Sequence, residues 1–293
     1  MAYVLITGTS KGIGFETALA FARAGHKVYA TMRKPAQSPE LAEIAKRDKL
    51  PVEVSAMDVD TDESVRDGIA AIQKQGPIDV LVNNAGVEKV SAIEQTPLAD
   101  FRAVMETNYF GAIRCIQAVV PQMRERKSGC IINVSSVAGR ISSPPLAPYM
   151  ATKWALEGLS EALAAEMKTF NVRVAIIEPG IIDTAMARRI GVGADRSTYR
   201  QQARFASLFE AALKNPAPPS LVAGKILEVA DGGTWQLRHP VGPDAQGFLD
   251  WRKSMTDEQW VALHASDDDT WYARIEKDFG MDTRPKNIRA TAT

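Results

Sequence analysis

Tyr3-Val4-Leu5-Ile6-Thr7-Gly8-Thr9-Ser10-Lys11-Gly12-Ile13-Gly14 stands at the start of the chain. The short apolar run reads as a buried parallel strand. Behind the glycines, Phe15 to Ala24 has helical spacing and ends at Gly25. Strand, glycine turn and helix in that order make a phosphate site. The glycines permit a tight turn and close backbone approach, and the helix N-terminus offers unpaired N–H groups at a positive dipole end. A plain glycine-rich turn is the alternative. The unit predicts an α/β chain with a doubly wound, mostly parallel sheet. Because the strand begins almost at the first residue, no domain is expected ahead of it.

Further strands are expected at Lys27 to Thr31, Val52 to Ala56, Asp79 to Val82, Cys130 to Val134, Val172 to Ile177 and Thr234 to Arg238, making seven. Helical stretches separate them at Glu63 to Gln75, Leu98 to Gln122, Tyr149 to Phe170 and Pro216 to Val229. In dinucleotide-binding folds an acidic residue at the end of the second strand binds the ribose 2′-hydroxyl. Here Met32 occupies about that place and Arg33 follows. No carboxylate is there to repel a 2′-phosphate, and Arg33 and Lys11 can both reach one. Solvated loop charges are the competing reading. Asn108 followed closely by Gly111 is poor chemistry for a helix interior. In Tyr149-Met150-Ala151-Thr152-Lys153, positions four apart share a helix face, so the phenol and the ammonium reach one pocket. A positive charge nearby is expected to lower the phenol's pKa.

These motifs, taken in order, resemble the short-chain dehydrogenase/reductase family in its compact form. The glycine turn has the T-G-x-x-x-G-x-G spacing, Asn83-Asn84-Ala85-Gly86 matches N-N-A-G, and Pro179-Gly180-Ile181-Ile182-Asp183-Thr184 matches P-G-x-x-x-T. The resemblance covers about residues 2–242. It implies a hydride transfer between NADP(H) and a carbonyl or secondary alcohol. Tyr149 would be the general acid or base, Ser136 would hold the substrate oxygen, and Lys153 and Asn108 would complete the proton path. Ser136 precedes Tyr149 by the family's separation of thirteen positions (149 − 136), with Ser135 as competitor. The cofactor would be bound by Gly8, Ser10, Lys11, Gly12, Ile13, Gly14, Arg33, Asp58, Val59, Asn84, Ala85, Gly86, Tyr149, Lys153, Pro179, Gly180, Ile182 and Thr184. The resemblance also implies a homodimer or homotetramer paired through the helix of Tyr149 and the long one before it. Val28 to Arg33 is similar to members acting on steroid or retinoid alcohols and also to many bacterial reductases, so it names no substrate. A non-catalytic NADP(H)-sensing regulator is the alternative, disfavoured because Tyr149 and Lys153 are both present. An epimerase or dehydratase on the same fold is disfavoured by the glycine spacing.

Residues 185–219 are expected to form the substrate loop. Met186, Ile190, Val192, Tyr199, Phe205, Leu208, Phe209 and Leu213 could line an apolar pocket or pack the faces of short helices. Arg188, Arg189, Arg196, Arg200 and Arg204 make the loop basic. Residues 243–293 form an extension expected to pack on the same domain, as a lid or a subunit contact. It holds Trp251, Trp260 and Trp271, and Thr256 to Gln259 reads as a helix start. The last stretch, Asp282 to Thr293, is polar and expected to fray.

With 45% hydrophobic and 24% charged residues and zero formal net charge, the composition is that of a globular protein. It favours neither nucleic acid nor a membrane surface as partner. Two cysteines and three scattered histidines suggest neither a disulfide framework nor a metal site, and a reducing cytoplasm fits. No signal peptide is evident.

Overall fold

A computed structural model of the protein describes residues 1–190 and 197–284. Seven strands form one parallel sheet: β1 (Tyr3–Thr7), β2 (Lys27–Met32), β3 (Val52–Ala56), β4 (Val80–Asn83), β5 (Gly129–Val134), β6 (Val172–Pro179) and β7 (Arg238–Val241). Their spatial order is β3-β2-β1-β4-β5-β6-β7. The chain runs outward from β1 to β3, then returns to place β4 on the other side of β1. This reversal opens a crevice at the strands' carboxyl ends, where open α/β sheets bind ligands.

Successive strand residues face opposite sides, and both sides are covered. Val4 and Ile6 pack with Phe21 of α1 (Gly12–Arg23), Leu41 of α2 (Glu40–Arg47), and Val222 and Ile226 of α8, the helix Pro219–Asp231. Leu5 and Leu81 pack on the other side with Ile69 of α3 (Asp62–Gln73), Val119 of α5 (Gly111–Arg126), and Leu163 of α6, the helix Ala147–Lys168. Burial on both faces explains why these strands read as unbroken apolar runs.

Two boundaries depart from the sequence expectation. The stretch expected as one helix from Leu98 is three pieces: α4 (Leu98–Met105), a π-helical turn at Glu106–Phe110, and α5. Asn108 lies in the turn, where its side chain takes over bonds to the backbone of Val87. The last strand begins at Arg238 rather than Thr234, because Arg238 to Val241 pairs with Ile176 to Pro179. Pro240 is tolerated there, since β7 is the sheet edge.

The C-terminal stretch forms α9 (Ala245–Lys253), α10 (Asp257–Ala265) and α11 (Asp268–Phe279), following α7 (Arg200–Ala212). Thr256 and Gln259 close a capping box at the start of α10. Phe248, Trp260, Trp271, Tyr272 and Ile275 form a cluster with Ile141, Ile181 and Leu208 of the preceding chain. Asp282 to Arg284 is not frayed: Thr283 is buried and Arg284 pairs with Glu276. The remainder of the expected frayed stretch, 285–293, lies outside the described residues, as do Val192 and Arg196. No helix among the described residues is long and apolar enough to cross a membrane.

Candidate active site

A cavity of about 540 Å³ runs along the crevice, from the glycine turn to the C-terminal helices. Its floor is the turn after β1. Gly8 has φ +71°, and a Cβ there would sit 2.7 Å from Ala85 Cα. A Cβ at Gly14 would meet Asn84 Nδ2 at 2.3 Å. These glycines let the turn lie directly on the Asn84-Ala85 backbone. Asn84 Nδ2 donates to the carbonyls of Thr7 and Gly8 at 2.9 and 3.1 Å, and the N–H groups of Asn84 and Ala85 donate to Thr7 Oγ1. Side chains thereby lock the two motifs together, and the N-terminus of α1 faces the cavity.

Gly8, Ser10, Lys11, Gly12, Ile13, Arg33, Asp58, Val59, Asn84, Ala85 and Gly86 line this half. Pro179, Gly180, Ile182 and Thr184 line the opposite wall. Gly14 lies behind the turn as a packing glycine. Lys11 and Arg33 are exposed and make no ion pair among the described residues. Met32 is buried, so no carboxylate closes the end of β2.

Ser136, Tyr149 and Lys153 line the middle of the cavity. Ser136 follows β5 and caps a short turn, with Ala138 N–H donating to its Oγ at 3.1 Å. Ser135 is buried beneath it against Gly139. Tyr149 is in the first turn of α6, and Lys153 lies one turn on. Lys153 Nζ donates to the Val134 carbonyl at 2.8 Å and sits 5.5 Å from the centre of the Tyr149 ring. Asn108 is not in the main cavity wall. It borders a separate void of about 10 Å³ together with Lys153, close to the room one water needs. Asn108 Nδ2 also donates to Thr152 Oγ1 at 3.0 Å.

The electrostatics differ from the expectation of an acidic phenol. Burial pushes the Tyr149 hydroxyl up to about 12, against a hydrogen bond with Ser136 that pulls down and a Glu88 carboxylate that pushes further up. Burial lowers Lys153 to about 8, and Glu157 opposes this. Burial is the largest of these influences on Tyr149, and Lys153 is not among them. Glu88 was not anticipated, although it stands two positions after the N-N-A-G motif. It lines the cavity and pairs with Arg189 at 2.9 Å.

The roof is apolar and largely aromatic. Met186, Ile190, Phe205, Leu208 and Phe209 line it. Tyr199 instead points outward and bonds Glu94, and Leu213 packs behind the wall. Sequence reasoning did not assign the other side of the roof, Phe248, Trp251, Trp260, His264 and Trp271. Their signal was only an aromatic-rich tail. His264 Nδ1 is 3.0 Å from the Trp260 carbonyl, and its Nε2 is 3.1 Å from Ser143 Oγ in the loop before α6. The tail is thereby pinned to the loop before α6. Arg188 is taken up by Asp183, and Arg204 is buried against Asp268. Among the described residues no His, Cys, Asp and Glu cluster could hold a metal ion.

A family model described as short chain dehydrogenase matches residues 2–194. The uncharacterized oxidoreductase YusZ of Bacillus subtilis is 34% identical over 268 residues, spanning 88% of this chain and 95% of its own. A short-chain dehydrogenase structure from Streptomyces avermitilis superposes with a TM-score of 0.73 at 31% identity, covering 94% of this chain and 97% of that one. A gluconate 5-dehydrogenase from Burkholderia cenocepacia, solved with NADP and tartrate, has a TM-score of 0.72 at 25% identity and covers 84% of this chain and 95% of its own.

Proposed function

This chain belongs to the short-chain dehydrogenase family and is an oxidoreductase, and from that premise we propose that it interconverts a carbonyl and a secondary alcohol with NADP(H). The observation that carries the reading is convergence. Ser136, Tyr149 and Lys153 meet in one cavity, between a glycine turn able to hold a diphosphate and an aromatic roof able to hold an organic body.

The nicotinamide, when bound, supplies or accepts the hydride. The chain's own residues handle the proton and the charge. Tyr149, with its hydroxyl near 12, stays protonated at neutral pH. That is the state needed to donate to the oxygen of a carbonyl under reduction. Ser136 Oγ offers that oxygen a second hydrogen bond. Lys153 is charged below about 8 and would hold the nicotinamide ribose. The void beside Asn108 would seat a water that replaces the proton Tyr149 gives up. Lys11 and Arg33, free of ion pairs among the described residues, favour a 2′-phosphate over a bare ribose hydroxyl. The NADP found with the gluconate dehydrogenase accords with this. Two copies would pair through α5 and α6, where Trp154 is 48% exposed.

Following NADPH and NADH oxidation across a panel of ketones tests the proposal. NADPH is expected to be consumed with a markedly lower KM than NADH. Equal KM values would remove the cofactor assignment, and no oxidation of either would remove the reaction.

A further inference from the structure

Among the described residues, two hydrogen-bond donors of the roof are left unpaired. Trp251 Nε1 donates to Asp278 at 2.6 Å, and Trp260 Nε1 donates to the Ser142 carbonyl at 2.6 Å. Trp271 is 5% exposed and lines the cavity, yet its Nε1 has no acceptor. Arg204 is 2% exposed and also lines the cavity. Its Nε donates to Asp268 at 2.7 Å and its Nη2 to the Ser266 carbonyl at 2.8 Å, while Nη1 has no partner. The guanidinium carbon lies 5.8 Å from the centre of the Trp271 ring, so the two belong to one patch. One acceptor on the same helix, Gln202 Oε1, is also left over and bonds to neither.

A buried donor without an acceptor is destabilising, because it gives up its water and gains no partner. Two of them, on neighbouring residues that line the cavity, are best explained by an acceptor that arrives with the substrate. We infer that Arg204 Nη1 and Trp271 Nε1 form a specificity subsite for an uncharged oxygen acceptor at the end of the substrate remote from the reacting carbon. The inference rests on the proposed reaction and narrows its substrate class to an apolar, aromatic-sized ketone or alcohol with a second, carbonyl-type oxygen.

The charge state of the patch selects an uncharged group. Asp268 already neutralises Arg204, with its Oδ1 2.6 Å from Nη2. A carboxylate on the substrate would add a second anion to a neutral pair behind an apolar wall, at a desolvation cost its hydrogen bonds do not offset. A ketone or ester oxygen can accept from these donors and leaves the patch neutral. The walls around it, Phe205, Leu208 and Ile275 among them, suit an apolar body.

The test uses the full chain and acetophenone and 4-acetylbiphenyl as one-ring and two-ring bodies, so that reach is sampled. Each carries an isopropyl, methyl ester or carboxylate group at the ring position farthest from the acetyl. The readout is the kcat/KM ratio between partners within each protein, which cancels any loss of folded fraction. In one of the two series the ester should exceed the isopropyl compound by about 5- to 10-fold, the worth of a buried hydrogen bond. Trp271→Phe, which keeps a ring and removes the N–H, should bring that ratio towards one, and Arg204→Lys should do the same. Equal turnover of ester and isopropyl compounds in both series overturns the subsite, as does a ratio unchanged in Trp271→Phe. A carboxylate preferred to the ester overturns the uncharged assignment. If no ketone is reduced at all, the proposed reaction fails. Calorimetric binding of the ester and isopropyl compounds to the same proteins then decides the subsite alone, by the same ratio.

Discussion

The floor and the roof of the cavity are built in opposite ways. On the floor, the groups that face the crevice come from short motifs at strand ends: the turn after β1, Asn84 to Gly86 after β4, Ser136 after β5 and Pro179 to Thr184 after β6. Each is held by bonds to its immediate structural neighbours, such as Asn84 to Thr7 and Gly8. The roof has no motif. It is assembled from α7 and three helices more than forty residues later, joined by Arg204 to Asp268 and His264 to Ser143. On the proposed function, the floor would serve the cofactor and the proton, and the roof would select the substrate. Substitutions should therefore separate the two: floor changes should move cofactor use and turnover, and roof changes should move substrate selection.

The sharpest separation is expected at the junction. Tyr149→Phe should lose at least about 10²-fold in kcat, the lower range for a general acid, while NADPH binding measured by fluorescence titration is retained. Near-normal turnover would take the proton step away from Tyr149. On the floor, Arg33→Ala should shrink the ratio of NADPH to NADH kcat/KM by about 10-fold or more, since charge-assisted hydrogen bonds are roughly twice as strong as neutral ones. An unchanged ratio would make Arg33 a solvated loop charge. On the roof, Phe205 stands 4.9 Å from Phe209, ring centre to ring centre. Phe205→Leu should raise KM for an aryl ketone by about 2- to 10-fold through loss of an aromatic contact, leaving NADPH affinity alone. A shift in NADPH affinity of the same size would mean the two halves are coupled.

The smallest expected effect is a pH dependence confined to the roof. Burial holds His264 below the ordinary histidine range. The unfolded chain therefore takes up a proton that the folded chain refuses, and stability is lost as the pH falls below about 6.5. Tryptophan fluorescence during urea unfolding should show the tail weakening from pH 7 to pH 5.5, and His264→Asn should flatten that slope. His239 on the sheet edge is lowered for the same reason. His239→Asn should leave the tryptophan signal's pH slope intact, and a loss of the slope there would remove His264 as its source.

The same contrast decides what could be read in the sequence. Tyr3 to Gly14 was legible because a buried strand is an unbroken apolar run and its glycines answer to contacts a Cβ would destroy. Helical spacing alone puts Tyr149 and Lys153 on one face, and it was their place in the ordered motifs resembling the family that singled them out. The last strand was misjudged by four residues, because Arg238 to Val241 is selected by pairing with β6 and not by local propensity. The roof was illegible in detail. Trp271 reads in sequence only as one aromatic of a weakly patterned tail, and only the packing of α11 against α7 makes it a wall. The expected acidic phenol was wrong for the protein's own groups, because burial is a property of the assembled site.

The central claim is that one cavity brings a nicotinamide on the floor and a carbonyl beneath the roof to the hydroxyl of Tyr149. A crystal structure with NADP⁺ and a bound secondary alcohol measures this directly. The account predicts the alcohol oxygen within about 2.6–3.2 Å of the Tyr149 hydroxyl, the hydrogen-bond reach of a general acid, with its body against α7 and α11. An alcohol bound elsewhere, or a Tyr149 hydroxyl turned away from the nicotinamide, would contradict it.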